Sequence, residues 1–141
     1  MRYLWRDISQ RRPAQQERQA AIKAYKSAYR QQEHKLPENA RRYHDLRLHD
    51  EALEHVRTLR EQGRLRLEVI VGGFRLTFLD VTSQSGWENA VELVWIDAEL
   101  WALTSGEFES LVQFETIEAR VVAKDVWCYD LSSRRYLFGG P

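Results

Sequence analysis

Two His-Asp pairs stand in the stretch RRYHDLRLHD, His44-Asp45 and His49-Asp50. An imidazole beside a carboxylate is the raw material of acid–base relays and metal sites. Spacing argues against both here. On a helix, His44 and His49 sit about 140° apart around the axis; in a strand, an odd separation sends them to opposite faces. Asp45 and His49 can meet at i,i+4, which gives two ligands where zinc needs three or four. His55 lies about 16 Å further along a helix from His44, and His34 is cut off by Pro37. No H-E-x-x-H, G-x-S-x-G, C-x-x-C or P-loop pattern occurs. No cofactor or metal is expected. His44 is expected to be dispensable. His49 and Asp50 are expected to hold a structural junction, with the Asp50 side chain accepting backbone N–H groups in a cap or Asx turn.

The second candidate is an acidic strand with tryptophans. Read with period two, Val94, Ile96, Ala98, Leu100 and Ala102 share a core face, while Leu93, Trp95, Asp97, Glu99, Trp101 and Leu103 share the other. On the next strand Phe108, Val112 and Phe114 face the core, opposite Glu109, Leu111, Gln113 and Glu115. Ile96→Asp is therefore expected to unfold the chain. Three uses fit the acidic, aromatic face. It is a docking surface for a cationic partner through Trp95, Asp97, Glu99, Trp101, Glu109 and Glu115, by charge pairing and cation–π contact. Alternatively the basic N-terminal helix covers it. The third use is a general-acid pair, Asp97 with Glu99.

These residues need elements to position them. Pro13 is suited to a first helical turn, and residues 14–32 lack Gly and Pro. Ala21, Ile22, Tyr25, Ala28 and Tyr29 form one helical stripe, with Arg18, Lys23, Lys26 and Arg30 on the remaining faces. Leu36-Pro37 ends the helix, and a second short one is expected from Glu38 to about Leu46. From Leu65 the period becomes two. Residues 51–61 fit a helix or a strand; the short EQG link favours a hairpin strand. The Gly72-Gly73 turn leads to a strand at 74–78, TSQSG is a loop, and strands follow at AVELVWIDAELWAL, FESLVQFET and IEARVVAKDVW. Helices first and strands after, without βαβ alternation, predict an α+β fold with N-terminal helices on an antiparallel sheet of about five or six strands.

The 141 residues suit a single domain, 1–141, mainly helical and basic over 1–48 and mainly β and acidic over 49–141. The zero net charge divides: residues 1–66 carry 16 Lys/Arg against 9 Asp/Glu, and residues 67–141 carry 5 against 12. That division marks two interacting halves, a basic nucleic-acid face or an acidic partner face. A lone Cys128 permits no internal disulfide and fits a reducing compartment. No uncharged run approaches the roughly 18 residues of a membrane span, and MRYLWRDISQRR has no apolar signal core. A cytoplasmic location and no membrane contact are expected.

The chain resembles a group of small uncharacterised bacterial proteins. The shared features are the Met1-Arg2-Tyr3 start, a helix with a central Tyr25 or Tyr29, Leu36-Pro37, Leu48-His49-Asp50 and Trp95 to Glu99 in a W-x-x-x-E strand. The resemblance implies β structure from residue 52 onward and no established activity. His44-Asp45 is outside its pattern. Small acidic-faced α+β proteins of this size serve as immunity proteins or regulators, an analogy of fold and size.

The expected function is thus a non-catalytic partner-binding protein meeting a protein with a basic surface. Nucleic-acid binding by the basic helices, weak because the acidic half repels phosphate, is the second class. A hydrolase using His49, Asp50 and a carboxylate is the third.

Overall fold

A computed structural model describes residues 15–141. Pro13 and the Met1-Arg2-Tyr3 start lie outside these residues. Helix α1 spans Gln15–Gln32 and buries the expected stripe: Tyr25 and Tyr29 are in the core, with Ile22 and Ala28 packed against it. Lys23, Lys26 and Arg30 stay in solvent. A 3-10 turn at Glu33–Lys35 follows, because Pro37 disfavours helical geometry at Leu36, which is extended at ψ 146°. Helix α2, Glu38–His44, buries Ala40 and Tyr43.

The class is α+β with the helices N-terminal, as expected. Among the described residues nine strands form two antiparallel sheets, where one sheet of five or six strands had been expected. The strands are β1 Leu53–Glu61, β2 Arg64–Val71, β3 Phe74–Leu79, β4 Ser83–Ser85, β5 Trp95–Ala102, β6 Phe108–Phe114, β7 Glu118–Ala123, β8 Asp125–Asp130 and β9 Arg135–Phe138. One sheet has the order β1-β2-β3-β8-β9, the other β4-β7-β6-β5. Residues 53–61 are strand. Gln62 and Gly63 both take positive φ, as do Gly72 and Gly73, and such turns match the right-handed twist of paired strands.

The extra strands have local causes. IEARVVAKDVW divides: β7 belongs to one sheet and β8 to the other, with Lys124 alone between them, its N–H donating to Leu79 O at 3.0 Å. TSQSG contains β4, three polar residues paired to β7. β9 is short, largely exposed and starts after Arg134 at φ 57°.

The core lies between the sheets. Phe78 of β3 meets Phe108 of β6 at 6.3 Å and Trp87 at 6.0 Å. Trp87 is fully buried, and its indole N–H donates to Arg120 O at 3.0 Å, so its polar atom is satisfied. Complete burial of a side chain of this size contributes about 3 kcal/mol. Helix α2 wedges between the sheets. Tyr43 touches Phe78 and Trp95, and its hydroxyl pairs with Ser110 Oγ at 2.7 Å.

Candidate functional site

β5 is the edge strand of its sheet, so one row of its backbone groups has no strand partner. Side chains from the helical half fill much of that row. Tyr25 Oη accepts the Leu100 N–H at 2.8 Å, and Gln32 donates to Leu100 O at 2.6 Å and accepts the Ala102 N–H. His49 Nδ1 donates to Ile96 O at 2.6 Å, which fixes the proton on that nitrogen. Helix and strand are thereby tied by the hydrogen bonds a fifth strand of this sheet would otherwise make.

Between these ties opens a cleft of about 510 Å³. Ile22, Tyr25 and Lys26 of α1 form one wall, Leu46 to His49 another, and Ile96, Asp97 and Ala98 the floor. Its lining is mainly apolar with a few converging polar groups, the usual make-up of a small binding site. Asp97 is the acidic group at the opening. Its side chain keeps 24% of its exposure and pairs with Arg18 at 3.6 Å, an ion pair that joins the basic and acidic halves. Burial raises the Asp97 pKa above its ordinary value, against the opposing pull of Arg18 and His49.

The acidic, aromatic face is not laid out as period two implied. A bulge between Trp95 and Asp97 inserts Ile96 and sends Trp95 to the inner face, opposite Phe114. Trp95 packs there on Trp87, Phe114 and Tyr43. Trp101 stays with Asp97 and Glu99 but lies beneath α1, edge-on to Tyr25 at 5.8 Å. Glu99 is fully buried and accepts the Trp101 indole N–H at 3.1 Å. Glu109 is buried and bound by Arg120 at 2.6 Å. Of the six residues expected to dock a partner, Asp97 and Glu115 reach solvent; Glu115 accepts the Val94 N–H at 3.0 Å. Conversely, Val94, Ile96, Ala98 and Ala102 are only partly buried, and Leu100 alone of that set is in the core.

The two His-Asp pairs point apart. His44 stacks on Tyr29 and takes a hydrogen bond from Tyr25, with Asp45 at 3.8 Å. Tyr25 Oη also accepts the Leu100 N–H, so with its own proton given to His44 Nε2 the hydroxyl both donates and accepts. Burial lowers the His44 pKa, outweighing Asp45, and raises that of Tyr25. His49 Nε2 faces Asp50 at 3.3 Å. Asp50 anchors the junction through its backbone, its N–H donating to Trp95 O at 2.9 Å from a left-handed φ of 69°; its carboxylate caps no described N–H. No cluster of three metal-ligating side chains forms among the described residues.

No local pattern indicates that Tyr25 and Gln32 serve the edge of β5, or that Lys26 and Arg47 line a cleft. A tyrosine on an apolar helical stripe was the one available signal, since a buried hydroxyl requires a partner. No curated protein and no solved structure matches the chain. The sequence profile described as protein of unknown function (DUF4085) covers residues 3–123, most of the chain, and this protein belongs to that family.

Proposed function

We propose that this chain is a non-catalytic partner-binding protein whose cleft takes a cationic group of a protein partner beside Asp97. The observation that carries this is the state of Asp97. A carboxylate has been kept in a largely apolar cleft at an electrostatic cost, with one half-exposed arginine 3.6 Å away as its cationic partner there. Charge-assisted hydrogen bonds close to about 2.8 Å. An incoming ammonium or guanidinium that reaches that distance outcompetes Arg18. Perturbed carboxylates in clefts mark functional sites more often than chance. The buried Trp95, Glu99, Trp101 and Glu109 then shape the floor and its field and do not touch the partner, while Glu115 lies on the open surface. Immunity proteins and regulators act by docking of this kind.

The test is selection of randomised heptapeptides on the immobilised chain. Wild type is expected to enrich Lys- or Arg-containing peptides, and Asp97→Asn to lose that enrichment while melting cooperatively at or above the wild-type temperature. Equal enrichment on both proteins would remove Asp97 from the site.

The exposed Lys23, Lys26 and Arg30 support a second reading, nucleic-acid binding along α1. It requires binding of a labelled oligonucleotide that weakens steeply with salt and is lost in Lys23→Glu with Arg30→Glu.

A further inference from the structure

Alternation on either side of the bulge sends the backbone groups of Trp95, Ala98, Leu100 and Ala102 to the outer edge of β5, and the inserted Ile96 adds its carbonyl there. At Trp95 the N–H donates to Glu51 O and the C=O accepts the Asp50 N–H, both at 2.9 Å. At Leu100 both groups are bonded by α1 side chains, at Ala102 the N–H is, and at Ile96 the carbonyl is held by His49. Ala98 differs. Its N–H and C=O share the outward parity of Leu100, and no side-chain or loop hydrogen bond reaches them among the described residues; it lies on the floor of the cleft next to Asp97. Among the described residues the edge is blunted on either side, and Ala98 alone keeps both of its outward groups open.

We infer that the partner segment enters the cleft extended and adds a short strand to the sheet at Ala98, one of its residues pairing backbone to backbone there while a Lys or Arg side chain reaches Asp97. This rests on the cleft reading above and specifies the kind of partner. A donor and an acceptor on one edge residue, spaced by the peptide unit, are complementary to another peptide backbone. The flanking ties limit the length. Tyr25 and Gln32 block the edge beyond Leu100, and His49 blocks it at Ile96, so a second copy of β5 cannot lie along it and a narrow loop or chain end can. Ile22, Leu46 and Leu48 supply apolar contact for the neighbouring side chains. Because alternate residues of a strand face the same way, the contact must show a period of two along the peptide.

Two probes separate this inference from the reading beneath it. N-acetyl-lysine methylamide carries the ammonium with one residue of backbone; heptapeptides from the randomised library carry an extended chain. If Asp97 takes cations, the small probe shifts the resonances of Asp97 and its neighbours in wild type and not in Asp97→Asn. If strand addition occurs, wild type enriches heptapeptides, and N-methylation at single positions of an enriched peptide costs about tenfold or more at one position and little at its two neighbours. Ala98→Pro, which deletes the outward N–H where an edge strand tolerates it, is expected to lose the peptides and keep the small probe. Small-probe binding without peptide enrichment, peptides insensitive to N-methylation, or equal peptide binding by a folded Ala98→Pro would each overturn strand addition and leave the Asp97 reading standing. Failure of the small probe as well as the peptides would overturn both.

Discussion

The His44 ring lies flat on Tyr29, with centroids 3.9 Å apart and planes 7° from parallel. The same imidazole accepts the Tyr25 proton at 2.8 Å. Tyr25 in turn holds the edge of β5, so His44 is two hydrogen bonds from the cleft floor. This argues against the expectation that His44 is dispensable. His44→Ala removes a stacked pair worth about 1 kcal/mol and takes away the acceptor of the buried Tyr25 hydroxyl, which keeps only the Leu100 N–H. A loss of about 2 kcal/mol is expected in urea unfolding, where a change below about 0.5 kcal/mol would show the stack to be incidental.

The same residue sets a pH dependence. Burial holds its folded pKa below the ordinary 6.5. Beneath 6.5 the unfolded chain therefore binds a proton that the folded chain refuses, and stability falls as pH falls. His44→Phe keeps a ring on Tyr29 but cannot titrate. The stability gap between wild type and His44→Phe is expected to move against wild type on going from neutral pH to below 6.5. A gap that stays constant would mean His44 charges freely within the fold.

Asp50 matters for its backbone. At φ 69° a β-carbon is strained, and Asp tolerates that region better than Ala does. Asp50→Ala is expected to lose about 1 kcal/mol, while Asp50→Gly, which has no such strain, stays near wild type. Equal losses for both in chemical denaturation would assign the effect to the carboxylate near His49 instead.

The parts of the fold written in local patterns were legible. Tyr25 and Tyr29 share a helical face, Gly72-Gly73 turns a hairpin, and the EQG link shortens the 53–61 region into a strand. What stayed hidden depends on tertiary context. Nothing local says that a single residue, Lys124, carries the chain from one sheet to the other. Nothing in WIDAELW reveals the inserted Ile96, and one inserted residue reverses every assignment before it. Asp97 keeps the outward place that alternation gives it, but its cleft is made by α1 and residues 46–49, whose arrival at β5 rests on Tyr25, Gln32 and His49.

The bulge yields a direct contrast. Simple alternation makes Ile96→Asp an unfolding change. In the structure Ile96 is partly buried at the cleft, whereas Leu100 is almost wholly enclosed. Leu100→Asp places an unpaired charge in the core and is expected to abolish the cooperative melt. Ile96→Asp is expected to leave the chain folded with a lower melting temperature. Unfolding by Ile96→Asp together with tolerance of Leu100→Asp would mean the bulge is misplaced and strict alternation holds.

Asp97 carries a signature of a residue kept for binding rather than stability. Its pKa is raised in the fold because burial disfavours its charge more than Arg18 and His49 favour it. The folded state thus holds the proton to a higher pH than the unfolded state, whose carboxyl titrates near 3.8. Stability contributed by this group is greatest at low pH and is lost as pH rises through the folded pKa, so at neutral pH the ionised carboxylate works against folding. Asp97→Asn, neutral throughout, is expected to be more stable than wild type at pH 7, with the difference shrinking as pH is lowered through the raised pKa. The comparison is made by urea unfolding of both proteins across that range, at low and high salt to expose the Arg18 contribution. If Asp97→Asn is less stable than wild type at neutral pH, the Arg18 pair outweighs burial. Asp97 is then a structural tie between the two halves of the chain, and the cleft loses the carboxylate proposed to receive a partner.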